Sequence, residues 1–317
     1  MTKFKAWISA ARLRTLPLSV SGIIVGSVLG QADMLATSND PTVLYDCVPK
    51  MFFETRIFLL AILTTLGLQI LSNFANDYGD GVKGTDNEDR VGPERALQSG
   101  AISKKEMFKG IVITAIITLI LAVLLIYISF GRAYFFYSVF FFILGIIAIA
   151  AAIKYTVGDS AYGYRGLGDL FVFIFFGVVS VVGCYFLFTK NLNWLVFLPA
   201  TTVGFLSVAV LNLNNMRDHD SDKKADKNTL VVKLGIAKAK KYHYFLIIGA
   251  ILIMIIFLFF TYQNHVNLLF LVAFIPLVIH IIKVRKTKDT KDLDPELKKV
   301  ALSTFLLAIL FSLGQIL

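Results

Sequence analysis

Charge is scarce in this chain of 317 residues: 16% are Asp, Glu, Lys or Arg, against 57% hydrophobic. Soluble domains carry about a quarter charged residues, so a soluble globular fold is excluded. Cysteine is nearly absent as well. Cys47 falls in a loop and Cys184 in an apolar run, which excludes a disulfide framework or a cysteine metal pair and leaves both as inert small residues. Of the 4 histidines, His219 lies in an acidic stretch whose neighbours favour a hard oxygen site, and His243, His265 and His280 read as interfacial. The net charge is +10, but the basic residues sit in loops between apolar runs. That is the pattern of membrane topology, and nucleic acid is excluded as a partner.

What is present is a succession of long apolar runs. GIVITAIITLILAVLLIYISF and its like reach the length of about 20 residues that a bilayer core requires. The expected fold is all-α, a polytopic protein embedded in the lipid bilayer, with nine spans at 15–32, 56–76, 107–129, 134–153, 167–189, 193–216, 244–262, 266–284 and 299–316. The basic start of the chain resembles a secretory signal, but Arg12, Arg14 and Pro17 interrupt it, so it reads as an uncleaved first span. Sorted by alternate sides of these spans, 27 Lys and Arg fall on one side and 4 on the other. The positive-inside rule puts the basic side, with the N-terminus, in the cytoplasm and the C-terminus outside.

Two acidic stretches stand where apolar runs give way to charge: NFANDYGDGVKGTD from Asn73 to Asp86, and NLNNMRDHDSDKKAD from Asn212 to Asp226. Asn73, Asn76 and Asp80 share one helical face, and Asn215, Asp218, Asp222 and Asp226 repeat the spacing. Both stretches follow a span (the second and the sixth) on the cytoplasmic side, as a parallel duplication would produce. The expectation is a single domain over 1–317 with pseudo-repeated four-helix halves, about 12–153 and 154–284, and a last helix at 299–316. Helices two and six would face each other across a central cavity. Acids at a helix C-terminus oppose the helix dipole, so a cation is expected there, and oxygen ligands without cysteine suit Mg²⁺ better than zinc. Carboxylates with basic residues at one membrane face fit a metal-bridged diphosphate. An apolar cavity below favours a hydrocarbon tail, and a polyprenyl diphosphate has both parts. Ionisation of its allylic C–O bond, with the cation held over aromatic faces until a nucleophile attacks, is prenyl transfer. Lys83, Arg90, Lys154 and Arg165 are candidate diphosphate contacts and equally topological anchors. Asp159 and Asp169 read as turn or cap residues, and Ser103 as a helix N-cap. A carrier of metal or lipid diphosphate is the rival from another class. A CDP-alcohol phosphotransferase ranks last, since its DG…AR…G…D…D order is missing.

At these residues the chain resembles the UbiA superfamily of intramembrane prenyltransferases. NDYGDGVKGTD, the RALQSG turn, YGYRGLGDLFVFIFFG and NNMRDHDSDKKADKNTLVVKLG look most like its 1,4-dihydroxy-2-naphthoate polyprenyltransferase branch, over essentially the whole chain. The resemblance implies transfer of a polyprenyl group from its diphosphate to 1,4-dihydroxy-2-naphthoate with loss of CO₂, giving demethylmenaquinone, in the cytoplasmic (inner) membrane. Another aromatic acceptor, 4-hydroxybenzoate or homogentisate, is the alternative within the enzyme class. By motif position Asn76, Asp80, Asp218 and Asp222 would hold Mg²⁺ and the diphosphate, with Asp77, Asp86 and Asp226 in support. Lys154, Arg95 and Arg217 would contact phosphate, and Arg12 and Arg14 the acceptor. Tyr155 or a carboxylate is the candidate proton acceptor. The chain departs from the superfamily pattern at Gly84, where a third Asp is expected before Asp86, and in VGDSA ahead of YGYRG.

Overall fold

Inside a bilayer no water is available to peptide groups, so an apolar run must satisfy them within itself as a helix. A computed structural model describes residues 2–37, 47–84 and 95–317, with side chains described at 2–36, 55–84 and 95–317, and every regular element among the described residues is helical. Among them, nine segments are long and apolar enough to cross a membrane: Lys3–Ala36, Thr55–Lys83, Lys104–Phe130, Phe135–Lys154, Gly168–Thr189, Trp194–Arg217, Ile236–Thr261, His265–Lys286 and Thr290–Ile316. The number agrees with that expected from the apolar runs. The ends on the side rich in Lys and Arg differ most.

The first span starts a helix earlier than expected. α1 (Lys3–Ala11) precedes α2 (Leu16–Thr37), and the chain turns between them at Arg12, whose φ is 50°. α1 is placed by Ala6 and Ala10, one turn apart and fully buried, and by Trp7, edge-on to Phe74 at 5.1 Å between ring centroids. α3 (Cys47–Lys83) and α4 (Lys104–Phe130) pack against each other, and α5 (Phe135–Lys154) packs against both. Ser103 caps α4 as expected: its hydroxyl accepts from Glu106 N while Glu106 accepts from Ser103 N. The fifth span joins α6 (Gly168–Val172), a π-helical stretch (Phe173–Gly183) and α7 (Cys184–Thr189).

α2 lies against this fifth span unusually closely. Gly22, Gly26 and Gly30 recur every fourth residue, and a Cβ added to them would come within 2.0 Å of Ser180 Oγ, 2.3 Å of the Val181 carbonyl oxygen and 2.9 Å of Phe188 Cβ. Small residues at this spacing let transmembrane backbones touch.

α8 (Phe197–Arg217) is followed by two short helices, α9 (His219–Lys224) and α10 (Leu230–Leu234), and then by α11 (Ile236–Thr261), α12 (Phe274–Lys286) and α13 (Asp294–Ile316). α13 packs against both α2 and α8, which closes a ring. A cavity of roughly 560 Å³ opens inside it, lined from α2, α3, α4, α5, the fifth span, α8, α9 and α13. Helices α11 and α12 do not line it; they back α8 and α13 from outside. The two halves of the chain are thus used differently.

The same outer layer corrects the reading of two histidines. His243 and His280 are fully buried, their Nε2 atoms 2.7 Å apart, and His280 Nδ1 meets Glu296 Oε2 at 2.6 Å, with Lys299 donating to Glu296 at 2.6 Å. α11 begins at Ile236 and not at 244, so His243 lies about two turns inside it. His265 is exposed, as an interfacial residue should be.

Candidate active site

The described parts of the two acidic stretches open on the same end of the cavity. On α3, Asn76 and Asp80 line it, and Asp77 stands behind them. Asn73 Nδ2 donates to the Ala11 carbonyl at 2.9 Å and fixes the end of α1. Asn76 Oδ1 accepts from Thr156 Oγ1 at 3.2 Å. Asp77, fully buried, is held by Arg12 Nη2 at 2.5 Å and lies 3.5 Å from Arg95 Nε. That ion pair offsets the left-handed backbone of Arg12, which costs on the order of 1–2 kcal/mol in a residue other than glycine. Asp80 accepts from Tyr164 Oη at 2.8 Å.

The second stretch is not one helix. α8 stops at Arg217, and Asp218 (φ −93°, ψ 9°) leads into α9, whose Asp222 N donates to the Asp218 carbonyl at 2.8 Å. Asn215, Asp218 and Asp222 line the cavity, whereas Asn212 is turned to the outer layer, its Nδ2 donating to the Ala239 carbonyl at 3.1 Å. Asp226 lies beyond the end of α9 at φ 52°, exposed and outside the cavity lining. The chain has left helical register by then, so the four-residue spacing no longer predicts its direction. Arg217 forks onto Asp218 with Nε–Oδ1 and Nη2–Oδ2 both at 2.7 Å, and bonds Asn214 at 2.9 Å and Asp294 at 2.5 Å. It lines the cavity with its charge already shared by two carboxylates.

Arg12, Arg14 and Arg95 reach the cavity wall, as does Tyr155. Lys83, Lys154 and Arg165 are exposed and do not line it: Lys83 Nζ rests 3.9 Å from the Tyr164 ring centroid, and the Arg165 carbonyl accepts from Lys233 at 2.6 Å. All three end helices or turns at the membrane edge, where a long basic side chain finds water more readily than the interior. His219 pairs with Asp220 at 2.8 Å away from the lining, Asp159 is exposed, and Asp169 is buried but off the cavity. Asp86 and Arg90 lie outside the described residues.

Lys227, Lys298, Asn214 and Asp294 also line the cavity, and none of them is marked by the acidic spacing. Lys227 Nζ lies 3.5 Å from Asp222 Oδ1 and 5.5 Å from the Tyr164 ring centroid. Burial alone would lower its pKa, but Asp80 and Asp222 more than offset this and hold it above the ordinary lysine value. Burial pushes the Asp222 carboxyl up to about 6, with Asp218 and Asp80 adding to the shift and Lys227 opposing it. Burial also pushes the Tyr155 phenol up to about 12, with Asp169, Asp80 and Asp222 adding to the shift and Lys227 opposing it.

The donor set suits a hard divalent cation. Asp80, Asp218, Asp222 and the amide oxygens of Asn76 and Asn215 all face the cavity, and Asp222 Oδ2 is buried without a hydrogen-bond partner. Among the described residues no three acidic, His or Cys side chains form a ready metal cage. Mg²⁺ needs only one or two carboxylates and completes its shell with water and substrate phosphate, so it would not require such a cage.

The described spans enclose an apolar chamber, with acids from both stretches and guanidinium groups at one end. The chain belongs to the UbiA prenyltransferase family, whose model matches residues 48–310. It is 41% identical over 312 residues to the 1,4-dihydroxy-2-naphthoate octaprenyltransferase of Haemophilus influenzae, covering 98% of this chain and 96% of that one. It is also 41% identical over 257 residues to the enzyme of the same name from Escherichia coli K12, covering 81% and 77%. Among solved structures, the apo UbiA homologue of Aeropyrum pernix K1 aligns with a TM-score of 0.64 at 14% identity, covering 94% of this chain and 99% of that one. The Archaeoglobus fulgidus homologue bound to DMAPP and Mg²⁺ aligns at 0.59 and 14%, covering 97% and 99%. At that identity the two structures speak for the fold.

Proposed function

We propose that this protein transfers a polyprenyl group from polyprenyl diphosphate to 1,4-dihydroxy-2-naphthoate, with loss of CO₂ and diphosphate, giving demethylmenaquinol, the reduced form of demethylmenaquinone. The observation that carries the site assignment is that Asp80 from α3 and Asp222 from α9 face one cavity, with Lys227 beside Asp222. The relatives named above support the choice of acceptor.

Asp80, Asp218, Asp222, Asn76 and Asn215 would hold Mg²⁺, which when bound stabilises the departing diphosphate as the allylic C–O bond breaks. Asp77 supports this side of the mouth by holding Arg12, and Arg95 lies beside it. Arg12, Arg14, Arg95, Lys227 and Lys298, all in the lining, take the remaining phosphate charge. The electron pair of the broken bond stays on the diphosphate oxygen. The prenyl carbon is left beside Tyr162 and Phe171, which line the chamber with their rings stacked at 4.0 Å and would supply aromatic density to a cation. The tail runs inward past Leu125, Phe141, Phe175 and Val179, which also keep water from the reacting carbon. A new C–C bond to the naphthoate ring then replaces the broken C–O bond; the ring–carboxylate bond breaks, its electron pair returning to the ring as CO₂ leaves, and Tyr155 is placed to donate a hydrogen bond to the acceptor. The basic-residue bias supports a mouth that opens to the cytoplasm.

The test is mass spectrometry of the lipid product from purified protein given dihydroxynaphthoate, 4-hydroxybenzoate and homogentisate together with prenyl diphosphates of mixed length. Prenylated, decarboxylated naphthoquinone should dominate, and Asp80→Ala or Asp222→Ala should abolish it with the protein still folded in the membrane. Normal turnover in both variants would end the site assignment, and a different prenylated acceptor would end the substrate assignment.

A further inference from the structure

Acids gathered in a poorly solvated mouth repel one another and need a countercharge. The fold delivers one on a built support. Asp226, at φ 52°, turns the chain back after α9; the Lys227 amide then donates to the Asp222 carbonyl at 2.9 Å and the Asn228 amide to the Tyr164 carbonyl at 3.1 Å. This short strap sets the Lys227 ammonium 3.5 Å from Asp222 Oδ1 and over Tyr164, whose hydroxyl is bonded to Asp80. That distance is longer than a well-formed hydrogen bond of about 2.7–3.2 Å, so the contact is mainly one of charge, and Asp222 Oδ2 has no hydrogen-bond partner.

We propose that Lys227 is a tethered stand-in for the metal: before substrate binds it neutralises Asp80 and Asp222 and disfavours a divalent cation there, and the incoming diphosphate draws the ammonium onto itself and frees the carboxylates. Metal and diphosphate therefore load together, each raising the affinity for the other by the same factor. The inference rests on the reading that these carboxylates hold the metal.

Mn²⁺ titrations of the purified full-length protein in detergent, followed by electron paramagnetic resonance, separate the two ideas. Without diphosphate, Lys227→Gln should bind Mn²⁺ at least tenfold more tightly than wild type, about 1.4 kcal/mol, and Lys227→Arg, which keeps the charge, should bind as wild type does. Inorganic diphosphate should strengthen Mn²⁺ binding at least tenfold in wild type and much less in Lys227→Gln. Thermal melts give a second readout, because Mn²⁺ alone should raise the melting temperature of Lys227→Gln more than that of wild type. If Lys227→Gln binds Mn²⁺ alone no better than wild type, the stand-in role is refuted even where Asp80→Asn and Asp222→Asn lose the metal. If those two variants bind Mn²⁺ with diphosphate as wild type does, the metal reading itself has failed and the inference with it.

Discussion

Arg217 offers a sharp separation of support from substrate contact. Its side chain is 2% exposed and joins α8, the start of α9 and α13 through two bonds to Asp218, one to Asn214 and one to Asp294. Arg217→Ala strands Asp218, whose side chain is only 12% exposed, and breaking a buried pair by removing one partner costs about 3–5 kcal/mol. Asp294 is 45% exposed, so solvent screening brings its share down to about 1 kcal/mol. Lysine keeps the charge but cannot reproduce the planar fork, so Arg217→Lys should fall between wild type and Arg217→Ala. Unfolding by SDS in mixed micelles, followed by circular dichroism, measures these differences. A double-mutant cycle with Asp294→Asn should show a coupling of about 1 kcal/mol, above the roughly 0.3–0.5 kcal/mol scatter of independent sites. If Arg217→Ala leaves the unfolding midpoint unchanged and only raises KM for the prenyl diphosphate, the residue is a phosphate ligand and its role as a structural clamp is refuted.

The close seam between α2 and the fifth span predicts that Gly26→Ala destabilises by about 1–3 kcal/mol, as overpacking does. Gly145→Ala, where the nearest atom to an added Cβ is 3.9 Å away, should stabilise by about 0.5–1 kcal/mol through the helix backbone. Equal melting temperatures for the two would refute the seam. Tyr155 titrates at about 12 in the folded protein and about 10 unfolded. A raised pKa contributes stability fully below pH 10, and that contribution is lost as the pH rises through 12. Wild type should therefore lose up to about 2–3 kcal/mol across that window that Tyr155→Phe does not lose, and parallel alkaline denaturation curves would contradict it. For the same reason the pH–rate profile of wild type should carry no inflection from Tyr155 below pH 10.

The spans are readable because an apolar run of bilayer length admits one backbone solution, and the acids after the second and sixth spans, which line one cavity, because both spans end in acids on one side. The boundaries were harder. α1, the start of α11 and the start of α13 carry charge on one face and burial on the other, so a count of apolar residues stops short of them. Asp226 was misplaced because helical spacing was carried past Asp218, where the backbone leaves the helix. The same break conceals Lys227: in the sequence it is one basic residue among 8 between 217 and 243, and only the return of the chain at Asp226 sets it among acids. His243 and His280 lie 37 positions apart, and their pairing is a product of how α11 and α12 dock.

Because α13 fits between α2 and α8 and supplies Asp294 to Arg217, the enclosure is incomplete until the ninth span has been synthesised and inserted. A growing chain with eight spans in place would present its half-made chamber to lipid, with Arg217 short of one partner. Biogenesis should then have a late checkpoint, at which capture of one helix by the first and sixth spans turns a loose sheet of helices into a vessel.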